Sequence, residues 1–239
     1  MNSFDISQPA MDEISGDFLS HENVNALIMP LYSLDISEKQ QHNLQNCAES
    51  LGRHIGRRLR LERGAGIGAP LGVVEIPSGE AQHMIYDLYE SYYQGTYKTL
   101  SVLAALTDAF NQVFGNMPTR SMKKFLDSVQ NEEESLIKAC QLLEKARQYR
   151  TLLDHPAGTQ AFNWITHNKY DGRGIMVLHY GMSSRTGNIP EGAVPVGLGN
   201  FPVQADWVFD PPYVLDVDRS ILQLARWMAG RLEASRDAV

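Results

Sequence analysis

The segment Lys145-Ala146-Arg147-Gln148-Tyr149-Arg150-Thr151-Leu152-Leu153-Asp154-His155-Pro156 holds residue types that can cut RNA without a metal. Such cleavage needs a base for the proton of a ribose 2′-hydroxyl and a cation for the charge that gathers on the phosphate. His155 suits the first role, because an imidazole titrates near neutrality. Arg150 suits the second, because a guanidinium stays charged and grips two phosphate oxygens together. Thr151 adds a hydroxyl that can bond the substrate or hold Arg150 in place. On an ideal helix, Arg150 and His155 would point about 140° apart. Pro156 pushes the residue before it out of the α region, so it can turn His155 back toward the guanidinium, or the two can meet across a dimer interface. The plainer reading pairs Arg150 with a carboxylate, Asp154 or Glu144, and leaves His155 to finish a helix.

The order of Arg, a polar residue, three others and His resembles the signature of the HEPN family, helical proteins many of which are RNases. The resemblance covers mainly Ser78 to Pro156. It implies a helical core that dimerises to bring two motifs into one cleft, and metal-independent RNA cleavage carried by Arg150, Thr151 and His155. It also implies kinship with toxin and defence proteins, and so an antitoxin partner. No cofactor and no metal enter that chemistry. The sequence departs from the family where the polar position, commonly Asn, Asp or His, is Thr151. The rival expectation is a non-catalytic helical protein that dimerises or holds a partner.

A second candidate is the basic stretch from Arg53 to Arg63. Helical spacing puts Arg53, Arg57 and Arg60 on one stripe, a phosphate-tracking face that should lie near the cleft if RNA is the substrate. The alternative is a solvated face paired with Glu49 and Glu62. The glycines from Gly64 to Gly68 have no P-loop Lys-Ser/Thr after them and read as a hinge. His167 and His179 have no Cys or carboxylate at ligand spacing. Tyr86, Tyr89, Tyr92, Tyr93 and Tyr97 crowd one helix, some as core and others able to stack on bases. A third reading places a small-molecule pocket around Trp164, Tyr180 and Trp207.

The elements that must position these residues follow from apolar periodicity. The spacing predicts helices near 44–62, 79–114, 119–154 and 217–234, the middle two folding back as a long antiparallel pair across Gly115-Asn116-Met117-Pro118. Thr119 is the expected cap of the second, Asp216 or Asp218 that of the last, and Gly95 marks a close approach. Short β-like runs at 174–180, 193–198 and 206–209 predict a small irregular sheet. The expected class is mainly α, a helical bundle with a small β-containing C-terminal section. Three sections are expected: 1–77, with the tail, the basic helix and the Gly-rich loop; 78–156, the helical hairpin; and 157–239, the irregular section and closing helix. The chain has 239 residues, 43% of them hydrophobic, enough to bury a core. A formal charge of −7 argues against indiscriminate attraction to nucleic acid. Cys47 and Cys140 are isolated and read as small buried hydrophobes. With Asp5, Asp12 and Glu13 near the start no signal peptide is expected, and no apolar run nears the ~20 residues of a membrane span. A cytoplasmic protein is expected.

Overall fold

The computed structural model describes residues 19–64, 74–75, 80–154, 162–170, 173–183, 189–196 and 205–236. Its helices are α1 (His21–Ile28), α2 (Glu38–Gly64), α3 (Glu80–Ala109), α4 (Asn111–Phe114), α5 (Met122–Glu132), α6 (Ile137–Asp154) and α7 (Val214–Arg236). Its strands are β1 (Val74–Glu75), β2 (Phe162–Tyr170), β3 (Arg173–Met182), β4 (Val194–Pro195) and β5 (Trp207–Phe209). The chain is mainly α, as its periodicity predicts, with an antiparallel sheet in the order β1-β2-β3-β5-β4. None of the described helices is long and apolar enough to cross a membrane.

Several expected boundaries move, each for a local reason. The second long helix is broken in two, because Glu133 takes extended backbone and its carboxylate accepts from the Ser135 amide. Glu132, Glu133 and Glu134 put negative charge where a helix C-terminus disfavours it and where the next start welcomes it. Ser121, not Thr119, caps α5, accepting from the Lys124 amide at 3.4 Å. α2 begins before residue 44, where Ser37 and Gln40 bond each other's amides at 2.9 and 3.4 Å, a reciprocal cap. Gly115 ends α4 with φ +67°, the left-handed conformation that a glycine adopts without strain.

One hydrophobic cluster runs from Leu19 through the helices and the inner face of the sheet to Leu232. Within it lies a polar knot. Asp218, expected as a helix cap, is instead inside α7 and wholly buried. Its carboxylate meets His54 Nε2 at 2.8 Å, Arg58 Nε at 2.7 Å and the Tyr92 hydroxyl at 2.8 Å. Arg58 also donates to both Glu62 oxygens at 3.0 Å. Burial, then the Asp218 charge, raises the Tyr92 phenol well above its ordinary pKa, so Tyr92 stays a donor. The knot therefore ties α2, α3 and α7 together through one acceptor.

Tyrosine hydroxyls make the second set of ties. On β3, β5 pairs with Tyr180–Met182, and among the described residues no strand pairs with the earlier β3 carbonyls on that side. There Tyr89 of α3 donates to the Met176 carbonyl and Tyr149 of α6 to that of Leu178, each at 2.6 Å. Tyr93 donates to the Pro212 carbonyl. The buried Cys47 and Cys140 are held neutral, burial pushing their thiols up to about 12 and about 11.

Asp218→Ala leaves Arg58 buried without that carboxylate and is expected to cost about 3–5 kcal/mol in urea unfolding. Asp218→Asn, which keeps the shape but not the charge, should fall between it and the parent. A loss below about 1 kcal/mol for the alanine variant would show that the knot is not what joins the helices.

Candidate functional site

Arg150 stands near the end of α6 with 28% of its side chain exposed. Its guanidinium pairs with Asp154 one turn on and lies 4.9 Å from the ring of Tyr97. Asp154 accepts in turn from Gln94 of α3 at 3.0 Å. The Thr151 hydroxyl donates to the Arg147 carbonyl at 3.1 Å, the back-bond common to helical threonines, rather than to Arg150. His155 and Pro156 lie outside the described residues, as do residues 65–70 of the glycine-rich stretch. Arg150 and Thr151 are thus placed on one helix end, and the first of them has the carboxylate partner that the plainer reading names.

Arg53, Arg57 and Arg60 do share a face of α2. Arg53 and Arg60 are exposed, and Arg53 pairs with Glu49 at 3.2 Å. Glu62 serves Arg58 in the interior instead. Arg57 is half-buried against α3, where a Cβ on Gly95 would sit 2.5 Å from its Cδ, so the glycine makes room for it. Burial, followed by the charges of Arg60 and Arg53, lowers its pKa. Arg57 lines a groove of ≈ 260 Å³ along α3 with Asp87, Glu90, Ser91, Gln94 and Lys98. Gln94 in the groove wall bonds Asp154, the partner of Arg150, although that pair does not itself line the groove. Asp87 and Glu90 make it mixed rather than uniformly basic.

The sheet holds a second constellation, in which local spacing singles out His179 and Trp164 but does not join them to Thr166 or Asp210. In the β2–β3 register, Trp164 faces His179 and Thr166 faces Val177, all on the sheet face opposite Ile165, Leu178 and Tyr180. The His179 ring stacks on Trp164, centroids 5.3 Å apart and planes within 14°. Its Nδ1 lies 2.6 Å from Asp210 Oδ1, just past β5, and its Nε2 lies 2.6 Å from Thr166 Oγ1. A hydroxyl, an imidazole and a carboxylate stand in line. His179 and Asp210 also border a cavity of ≈ 160 Å³ whose other walls include Tyr89, Tyr93, Ile175, Val177, Pro212 and Val214. The hydrogen bond from His179, opposed by burial, holds the Asp210 carboxyl below its ordinary 3.8. Trp164 and Tyr180 are buried, and neither they nor Trp207 line the cavity, so the pocket expected around those three residues is not the one found. Strand alternation could have put Thr166 and His179 on one face, but the register and the return of Asp210 depend on pairings between segments far apart in the chain.

Among the described residues, no group of three or more His, Cys, Asp or Glu stands close enough to hold a metal ion. Compared with family models, with curated proteins and with solved structures, the chain gives no match.

A folded-state pKa below the unfolded one gives Asp210 a stabilising contribution that is full above 3.8 and is lost as pH falls through the native value. The carboxyl carbon shift of Asp210 should therefore titrate with a midpoint below 3.8 in the native protein and move back up in His179→Ala. A midpoint unchanged by that substitution would contradict the assignment.

Proposed function

We propose that the α3 groove takes RNA and that the chain is a HEPN-like, metal-independent endoribonuclease acting as a cytoplasmic homodimer. Arg150 would meet the scissile phosphate, His155 take the 2′-hydroxyl proton and Thr151 stand beside them. Arg53, Arg57 and Arg60 would track the backbone. The supporting observation is that Arg57 of α2 and Lys98 of α3 line one groove, and that Gln94 in its wall bonds Asp154, the partner of Arg150. To reach a phosphate, Arg150 exchanges Asp154 for another anion of similar geometry. A toxin-like nuclease of this kind would act beside an antitoxin partner.

A second reading, a non-catalytic helical protein that dimerises or holds a partner, is favoured by the contacts Arg150 already makes with Asp154 and Tyr97. There the guanidinium serves the helix end alone.

Purified protein incubated with single-stranded RNA and a chelator separates the two. The nuclease reading expects cleavage that falls about a hundredfold or more in Arg150→Ala and in His155→Ala. It also expects Arg57→Ala to weaken RNA retention and reduce the salt slope by about one. Uncut RNA, or cleavage that survives both alanine variants unchanged, removes the nuclease and leaves the interaction protein.

A further inference from the structure

We infer that Thr166, His179 and Asp210 form an acyl-transfer site, with the Thr166 hydroxyl as nucleophile toward small esters or thioesters seated in the adjoining cavity. Its three reacting side chains come from β2, β3 and the residue after β5, none of them in the α3 groove, and the inference stands whether or not that groove takes RNA.

Three independent features converge here. The two hydrogen bonds, each 2.6 Å, set a hydroxyl on one ring nitrogen and a carboxylate on the other, the arrangement by which a base is oriented and a nucleophile relieved of its proton. Trp164 stacked on the ring fixes its plane, so the imidazole cannot swing away from Thr166. The cavity begins at this point: Val177, the cross-strand partner of Thr166, and His179 are both in its wall. Its other walls are largely apolar, which suits an acyl chain, and ≈ 160 Å³ suits a short one. His179 is 12% exposed and Asp210 50%, so the relay is reachable from solvent.

The step balances with water as the only co-reactant. Thr166 Oγ attacks the acyl carbon while its proton passes to His179 Nε2. The bond to the leaving alkoxide or thiolate breaks, and Nε2–H returns that proton to the leaving group. Water then attacks the acyl-threonine, gives a proton to His179 and releases the acid, and Thr166 regains its hydrogen. Asp210 holds Nδ1–H throughout. A wholly structural cluster would have the same bonds but no reaction at Thr166.

The full-length protein is treated with p-nitrophenyl acetate and, separately, with an alkyl fluorophosphonate. The expected result is a burst of nitrophenol near one per chain, with one acetyl or phosphonyl group on the peptide bearing Thr166. Thr166→Ser should keep the burst. Thr166→Val, close to isosteric, and His179→Gln should each lower turnover about a hundredfold with the circular dichroism of the parent. Absence of reaction with both probes, label on another residue, or turnover unchanged in a folded Thr166→Val would overturn the proposal.

Discussion

A carboxylate with no access to water organises this molecule. Asp218 cannot be solvated where it lies, and it is tolerable there only because Arg58, His54 and Tyr92 converge on it. Those partners come from two other helices, so the carboxylate is satisfied only when α2, α3 and α7 share one geometry. Apolar contacts alone allow neighbouring helices to slide by a turn at small penalty. A buried charge does not, since any slip strands it. The knot thus sets the relation between the first half of the chain and its last helix, and every groove between those helices inherits its shape from that relation.

The sheet is attached by a different device. An open strand edge must find donors, and the helices supply them as phenolic hydroxyls reaching the carbonyls of Met176 and Leu178. Tyr89, Tyr93 and Tyr149 pack edge-on or stacked against one another, so the three hydroxyls are aimed by a common aromatic layer. The cavity beside His179 is a consequence. Its floor is made by Tyr89 and Tyr93, and its far wall by the segment around Pro212, whose carbonyl Tyr93 bonds. The clamps that fix the sheet therefore also build the pocket next to the hydroxyl–imidazole–carboxylate line.

The two candidate sites differ in what their charges are already doing. Around the α3 groove the cations have acidic neighbours: Arg150 pairs with Asp154, and Arg57 shares the groove wall with Asp87 and Glu90. A polyanion must compete with those carboxylates. At His179 the hydrogen bonds orient a titratable ring instead of neutralising a cation, and a void lies beside it. Arrangement, more than residue type, separates a surface that can bind from a group placed to react.

Periodicity in the sequence was enough to establish a mainly helical chain, a long helix starting near residue 80, the turn at Gly115, the buried cysteines and the shared face of Arg53, Arg57 and Arg60, because each depends on residues a few positions apart; the helix expected to run to residue 114 is interrupted at Phe110. The same reading marked Gly95 as a close approach without knowing that Arg57 fills the space. It placed Arg150 and Thr151 on a helix end and named Asp154 as the alternative partner, since a helix brings residues one turn apart together. It misjudged the break at Glu133 and the place of Asp218, where tertiary contacts and capping outweigh an apolar stripe. Only the folded structure decided that Asp218 meets His54, and that Thr166, His179 and Asp210 stand in line. Those contacts join segments far apart in the chain, and no local spacing encodes the strand register or the helix crossing that brings them within hydrogen-bond reach.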